Sequence, residues 1–208
     1  QDLVFELVNA PPRVSIDYPL DGATFYAGQR AYFSAYAYDL ETSKLLAPTS
    51  VSWASNREGA IGVGSWVQRE FTVLGEHQIT VTGRDNDGAS ATDSRRVTVL
   101  PPPPDGLPPT AFIYTFDYDY RAPNPVLTLG GVGHDAEDGA LSGARLEWRL
   151  ESDSIEWNIP GGVAYGNTPQ AVLNPVNGRG DFRVRLTVTD STGKTAEVVR
   201  EGSLLYIR

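Results

Sequence analysis

The sequence predicts an all-β chain: two tandem Greek-key β-sandwiches joined by a proline-rich linker. Three observations predict it. The sequence repeats itself at a spacing of about 100 residues, too long for a solenoid repeat and right for a duplicated domain. Glycine (21) and proline (15) punctuate it at short intervals, which suits many short strands and turns rather than long helices. Its apolar residues alternate with polar ones at period two in the clearest segments.

The repeat comes first, because it sets the boundaries. Pro11-Pro12-Arg13-Val14-Ser15-Ile16 opens one copy and Pro108-Pro109-Thr110-Ala111-Phe112-Ile113 the other. Tyr36-Ala37-Tyr38-Asp39-Leu40-Glu41 leads to Trp53, and Val132-Gly133-His134-Asp135-Ala136-Glu137-Asp138-Gly139 leads to Trp148, with 14 and 13 residues from aspartate to tryptophan. Each copy then closes on a glycine followed ten residues later by an aspartate, Gly75 to Asp85 and Gly180 to Asp190. The division is therefore residues 1–10 as an N-terminal strand or linker from a preceding region, 11–100 as domain 1, 101–107 as linker and 108–208 as domain 2. Pro101-Pro102-Pro103-Pro104 makes that linker a semi-rigid spacer, extended at ~3.1 Å per residue.

Within the copies, His77, Ile79 and Val81 alternate with Gln78, Thr80 and Thr82. Phe182, Val184, Leu186 and Val188 alternate with Arg183, Arg185 and Thr187. Both are half-buried strands, and the Asp-x-x-Gly that follows each predicts a hairpin turn. Trp53 and Trp148 are the expected core anchors.

Composition bounds the function. Hydrophobic residues are 40% and charged residues 21%, ordinary globular values. The net charge of -9 argues against a nucleic-acid partner, since phosphate is bound by a basic surface, and leaves a cation as the more natural ligand. Without cysteine, disulfides, thiolate catalysis and cysteine–zinc sites are excluded. No run approaches the ~20 apolar residues of a membrane span. The segment after Gln1 is strand-like, so the sequence reads as a fragment whose targeting information lies elsewhere.

Taken together, the Pro-Pro opening, the Asp-x-Glu before the core tryptophan, and Gly75-Glu76-His77-Gln78-Ile79-Thr80-Val81-Thr82 leading to Asp85-Asn86-Asp87-Gly88 resemble the PKD and related bacterial immunoglobulin-like domains of secreted and surface proteins. The first copy is close to that pattern, through Trp53-Ala54-Ser55-Asn56-Arg57-Glu58-Gly59. The second departs from it, with Phe182 in place of His77 and ten extra residues between tryptophan and glycine that include Glu156 and Trp157. Neither copy carries the Trp-x-Phe-Gly-Asp-Gly signature of strict PKD domains. The resemblance implies an immunoglobulin-like sandwich, an extracellular or bacterial cell-surface location, and a role as spacer, adhesive stalk or accessory domain.

In such a sandwich the B–C and F–G loops share one end. That gathers Asp39, Glu41, Asp85 and Asp87 in domain 1, and Asp135, Glu137, Asp138 and Asp190 in domain 2. Converging carboxylates are what Ca²⁺ needs, six to eight oxygen ligands, and the second set falls where the linker arrives, so an ion there would stiffen the joint. The competing reading is that Asp-x-x-Gly is a tight turn and nothing more. Asp85-Asn86-Asp87-Gly88 begins like an EF-hand loop, but its twelfth position is Arg96 rather than glutamate.

A second candidate surface is aromatic. Phe112, Tyr114, Phe116, Tyr118 and Tyr120 alternate along one strand, and that face is core by default. Aligning Ala111 and Ile113 with Val14 and Ile16 would instead turn Phe112 and Tyr114 outward, where with Phe116 and Trp157 they could stack on polysaccharide or on a neighbouring domain. Trp66, Tyr26, Tyr32, Tyr36 and Tyr38 read as ordinary packing. An enzyme finds no support: His77 and His134 lie in different copies, and Gly-x-Ser-x-Gly, His-Glu-x-x-His and phosphate loops are absent. The expected role is a non-enzymatic spacer or adhesive module, calcium-stiffened on the metal reading. Its partners would be other domains of the same or neighbouring surface proteins. The alternative is a carbohydrate- or protein-binding accessory module of a secreted hydrolase.

Overall fold

The structure is a computed structural model that describes residues 9–119, 126–153, 155–175 and 179–205. The chain divides into two units, Gln1–Pro103 and Pro104–Arg208. Each is an immunoglobulin-like β-sandwich, and the fold is all-β, with short 3₁₀ turns as the only helices among the described residues. The N-terminal strand expected over residues 1–10 lies, but for its last two residues, outside the described part.

In the first unit the strands are β1 (Arg13–Tyr18), β2 (Ala23–Tyr26), β3 (Arg30–Asp39), β4 (Lys44–Leu45), β5 (Val51–Ser55), β6 (Gly59–Val63), β7 (Trp66–Glu70), β8 (Gly75–Arg84) and β9 (Ser90–Leu100). One sheet is built on β3, with β1 on one side and β4 and β7 on the other; the second runs β2-β9-β8-β5-β6. The alternation read from the sequence holds: His77, Ile79 and Val81 face inward from β8. Phe33 sits at the centre, its ring 5.9 Å from Phe25, 6.0 Å from Trp53 and 5.9 Å from Phe71. Trp53 is buried and donates its indole N–H to the Gly64 carbonyl at 2.9 Å, so its one polar atom is satisfied.

The second unit has β10 (Thr110–Asp119), β11 (Val126–Asp135), β12 (Gly139–Leu141), β13 (Leu146–Glu151), β14 (Ile155–Trp157), β15 (Val163–Tyr165), β16 (Gln170–Pro175), β17 (Arg179–Thr189) and β18 (Thr195–Leu205). Its sheets are β10-β11-β16-β14, with β12 beside β11, and β15-β13-β17-β18. Trp148 repeats the role of Trp53, fully buried with its N–H on the Gly166 carbonyl at 2.7 Å. Phe182, Val184, Leu186 and Val188 face inward from β17 as the alternation requires.

The aromatic strand β10 behaves differently from either reading of it. Ala111, Phe112 and Ile113 are all buried, Phe112 at 1% exposure, while Tyr114 is 42% exposed. The cause is a bulge: Ile113 pairs with Gly131 and Thr115 with Gly130, leaving Tyr114 as the extra residue. A bulge breaks the period-two alternation at the residue inserted. Phe116 then stacks on Phe182 at 5.7 Å. The outward reading therefore fails for Phe112, and the continuous ring stripe does not exist along Phe112–Phe116. The side chains of Tyr118 and Trp157, and all of Tyr120, lie outside the described part.

Candidate functional site: the acidic loops at one end of each sandwich

In unit 1, β3 ends at Asp39 and β8 delivers the chain to Asp85. Asp85 is buried, and its Oδ1 accepts the N–H groups of Asp87 (3.0 Å) and Ala89 (2.9 Å). That is an aspartate capping its own turn. From outside the turn, Asn9 donates its side-chain amide to both carboxylate oxygens at 3.3 Å. Asp39 caps the other loop by accepting the Thr42 N–H at 2.8 Å, and that bond, the largest influence, holds its carboxyl below the usual range. Glu41 accepts the backbone N–H of Ala10. Asp87 is exposed to solvent.

Unit 2 repeats the plan. Asp190 Oδ1 accepts the Thr192 N–H at 2.7 Å, the Thr192 hydroxyl at 2.8 Å and the Lys194 N–H at 2.9 Å. Burial alone would push its carboxyl up, but those bonds together outweigh it and hold it below the ordinary range. Asp135, 2% exposed, accepts the N–H groups of Glu137 (3.0 Å) and Asp138 (2.8 Å) through Oδ1. Asp138 ties the two loops together: it accepts the Ser191 N–H and hydroxyl at 2.6 and 2.7 Å and the Arg145 guanidinium at 2.7 Å. The Ser191 hydroxyl is the chief reason its carboxyl lies below the usual range. Glu137 accepts the Leu107 N–H at 3.3 Å.

The two units thus fasten the arriving chain in the same way. Ala10 and Leu107 each stand just before the Pro-Pro that opens a copy, and each gives its N–H to the glutamate two residues past the end of the B strand. A second arm runs in opposite senses. In unit 1 the arriving Asn9 reaches the F–G turn, whereas in unit 2 Lys194 of the F–G turn reaches back. Its ammonium donates to the carbonyls of Asp105 and of Gly106, the latter at 2.8 Å, and lies 3.6 Å from the Asp105 carboxylate.

The predicted metal residues therefore do come to one end of each sandwich, but apart from the exposed Asp87 they accept hydrogen bonds, from backbone N–H groups, the Asn9 amide, the Ser191 and Thr192 hydroxyls and the Arg145 guanidinium. Among the described residues no group of three or more aspartate, glutamate or histidine side chains is placed to hold a metal ion. One atom stands apart. Asp135 Oδ2 is buried with no hydrogen-bond partner.

Three features were missed in the sequence. Glu58 takes the N–H groups of Thr72 and Val73, both at 2.8 Å, and the Arg69 guanidinium at 3.2 Å. With Asn56, which accepts the Gln78 N–H, and Arg57, which donates to the Leu74 carbonyl, it latches the β5–β6 turn to β8 and the loop before it. The Trp53-to-Gly59 stretch was the available signal. Second, Tyr36 (57% exposed) and Trp66 (47%) stand on the outer face of the β3 sheet, Tyr36 with its ring 5.5 Å from that of Tyr38, whereas Tyr32 is buried as expected. Third, Lys44 belongs to a short strand, β4, that no patterning marks.

No protein-family model matches the sequence, and no curated protein matches it. Among solved structures the chain is similar to the fibronectin(III)-like modules of Clostridium thermocellum CbhA, at 15% identity over 93% of this chain and 94% of that one, TM-score 0.37. It is similar to domains 5–6 of the S-layer protein SbsC at 14% identity, covering 91% and 95%, TM-score 0.34. The tandem Ig repeats of Dlar match at 12% identity, covering 96% and 99%, TM-score 0.34. No helix among the described residues is long and apolar enough to cross a membrane.

Proposed function

We propose that this chain is a non-enzymatic structural module, a spacer or adhesive segment of a bacterial extracellular or cell-surface protein. The observation that carries the reading is the repeated clamp. In both units the acidic motifs, the most chemically distinctive part of the sequence, are spent on capping their own turns and on fixing the direction in which the chain enters the sandwich. A module whose polar side chains hold its own joints is suited to transmitting geometry. The PKD-like motifs support the same reading.

Calcium at the domain 2 end belongs to this proposal because of Asp135. A buried carboxylate oxygen without a donor is costly, and a cation or a water would satisfy it. Asp135 would be the first ligand of such an ion, and Glu137, Asp138 and Asp190 would have to turn from their present hydrogen-bond partners to join it.

Hydrogen exchange on the intact chain tests the clamp. The amides of Ala10 and Leu107 are expected to be protected, and Glu41→Ala and Glu137→Ala should each release one of them without unfolding its sandwich. Fast exchange at both amides in the wild type would end the reading. Thermal unfolding in millimolar Ca²⁺ against EDTA tests the ion: at a hundred times its Kd a ligand adds about 2.7 kcal/mol, and an unchanged Tm leaves Asp135 to water.

A further inference from the structure

The two units differ at one sheet edge. In unit 1 the outer edge of β9 is covered by β2, which runs parallel to it in the register Ala23↔Val97 to Tyr26↔Leu100. Gly22 N–H donates to the Arg96 carbonyl and Ala27 N–H to the Leu100 carbonyl, both at 2.8 Å. Phe25 of β2 points into the core.

β18 is the corresponding strand of unit 2. His77 pairs with Val97 in one unit and Phe182 with Gly202 in the other, so Glu201–Leu205 corresponds to Arg96–Leu100. No described strand lies beyond β18 in its sheet. In unit 1 the carbonyls of Arg96 and Leu100 point at β2; the backbone groups of Glu201, Ser203 and Leu205 therefore point outward while Gly202 and Leu204 serve the ladder to β17.

Natural sheets protect such edges with charge. The first part of β18 is protected, by Glu197 with Arg185 at 2.8 Å and Glu201 with Arg183 at 2.7 Å. Gly202-Ser203-Leu204-Leu205 carries no charge. Beside this stretch lies an open cleft of about 810 Å³ whose lining includes Glu151, Asp153, Asp181 and Glu201, against the single cation Arg183. The edge is thus acidic at its outer face and uncharged along its free backbone.

We infer that Glu201–Leu205 is a strand-acceptor site. It takes an extended segment of a partner polypeptide in parallel, as β9 takes β2, with an aromatic or aliphatic residue turned inward and lysine or arginine turned toward the acidic cleft. Main-chain bonds supply the attachment and the alternating side chains the choice of partner. The structural role proposed above rests on the linker clamp and is independent of this edge.

The probe is a peptide of the Leu20–Gln29 sequence with Thr24→Lys and Tyr26→Lys, titrated into the full chain and followed by amide NMR. Saturable shifts confined to β17, β18 and the cleft are expected. A peptide N-methylated at alternate residues should bind at least tenfold more weakly, and so should the Ser203→Pro chain, which loses an outward N–H but none that faces β17. The N-methylated peptide leaves the protein untouched, so the test survives a misfolded variant. Equal binding by the N-methylated peptide, shifts elsewhere, or no saturable shift at millimolar peptide would each overturn the site.

Discussion

The A strands of the two sandwiches start alike and part at one residue. β1 and β10 both pair with the B strand, and both carry a bulge at the same place, Asp17 in one and Tyr114 in the other. The next pairs are Tyr18↔Ser34, 16 residues apart, and Thr115↔Gly130, 15 apart. Almost the same length of chain is then used in opposite ways. In unit 1 the following residue is Pro19, which has no N–H to give the ladder, and the chain leaves for the other sheet to become β2. In unit 2 it is Phe116, which pairs with Leu129 and continues the hairpin to Asp119↔Val126. The paths part at the residue without a donor, and among the described residues the last strand is covered in unit 1 and has no strand beyond it in unit 2.

The same position in the F strand shows the comparison at the level of a single side chain. His77 is fully buried. Its Nε2 lies 2.6 Å from the Val73 carbonyl, which can only accept, so Nε2 carries the proton and Nδ1 accepts from the Ser55 hydroxyl at 2.9 Å. Unit 2 has Phe182 here, stacked on Phe116. His77→Phe should therefore destabilise unit 1 by roughly 1–3 kcal/mol, since it takes the acceptor from the buried Ser55 O–H and the donor from the part-buried Val73 carbonyl. Adding Ser55→Ala should deepen the loss, because Ser55 Oγ also accepts the N–H groups of Arg57 and Glu58. Urea unfolding of unit 1 measures both. A wild-type midpoint for His77→Phe would mean the two sandwiches share one tolerance at this site and the hydrogen bonds add nothing.

An equal or smaller effect separates the B strands. Ala35 of unit 1 corresponds to Gly131 of unit 2 through their partners Ile16 and Ile113. A Cβ on Gly131 would lie 2.6 Å from both Leu186 Cδ2 and Trp148 Cζ2, so Trp148 occupies space that a methyl group fills in unit 1. Gly131→Ala should cost about 1–3 kcal/mol by overpacking. The reverse change, Ala35→Gly, should cost unit 1 about 0.5–1 kcal/mol through chain entropy. Denaturation midpoints of the two variants test whether the cores are interchangeable; a neutral Gly131→Ala would show slack around Trp148.

These differences mark what the sequence could show. Strand alternation, the core tryptophans and the duplication were legible because period-two patterning and fixed spacing are local. The path of β10 was not, because a bulge reverses facing at one residue while leaving composition unchanged. The convergence of Asp39, Asp85, Asp135 and Asp190 on the loop ends was legible from topology. What they do there was not, since donors such as Asn9, Leu107 and Ser191 approach from distant parts of the chain and nothing in their residue type pairs them with a particular carboxylate. Glu58 was hidden for the same reason, its partners being backbone N–H groups 14 and 15 residues away.

The smallest expected effect lies in acid. Asp138 and Asp190 in unit 2, and Asp39 and Glu58 in unit 1, all titrate below their ordinary values in the folded chain. A depressed folded value means that the bonded carboxylate stabilises the fold above the unfolded value, about 3.9 for aspartate, and that this contribution is lost as pH falls through the folded one. The causes differ between units. Thr42 of the same loop holds Asp39, whereas Asp138 is held chiefly by Ser191 on the opposite loop, so its titration reports whether the two loops of unit 2 are joined. Ser191→Ala should raise the titration midpoint of Asp138 toward the ordinary range and leave Asp39 where it is, read by carboxyl NMR shifts from pH 2 to 6. If Asp138 does not move, its low value comes from Arg145, and the bond between the loops is not what distinguishes this end of unit 2.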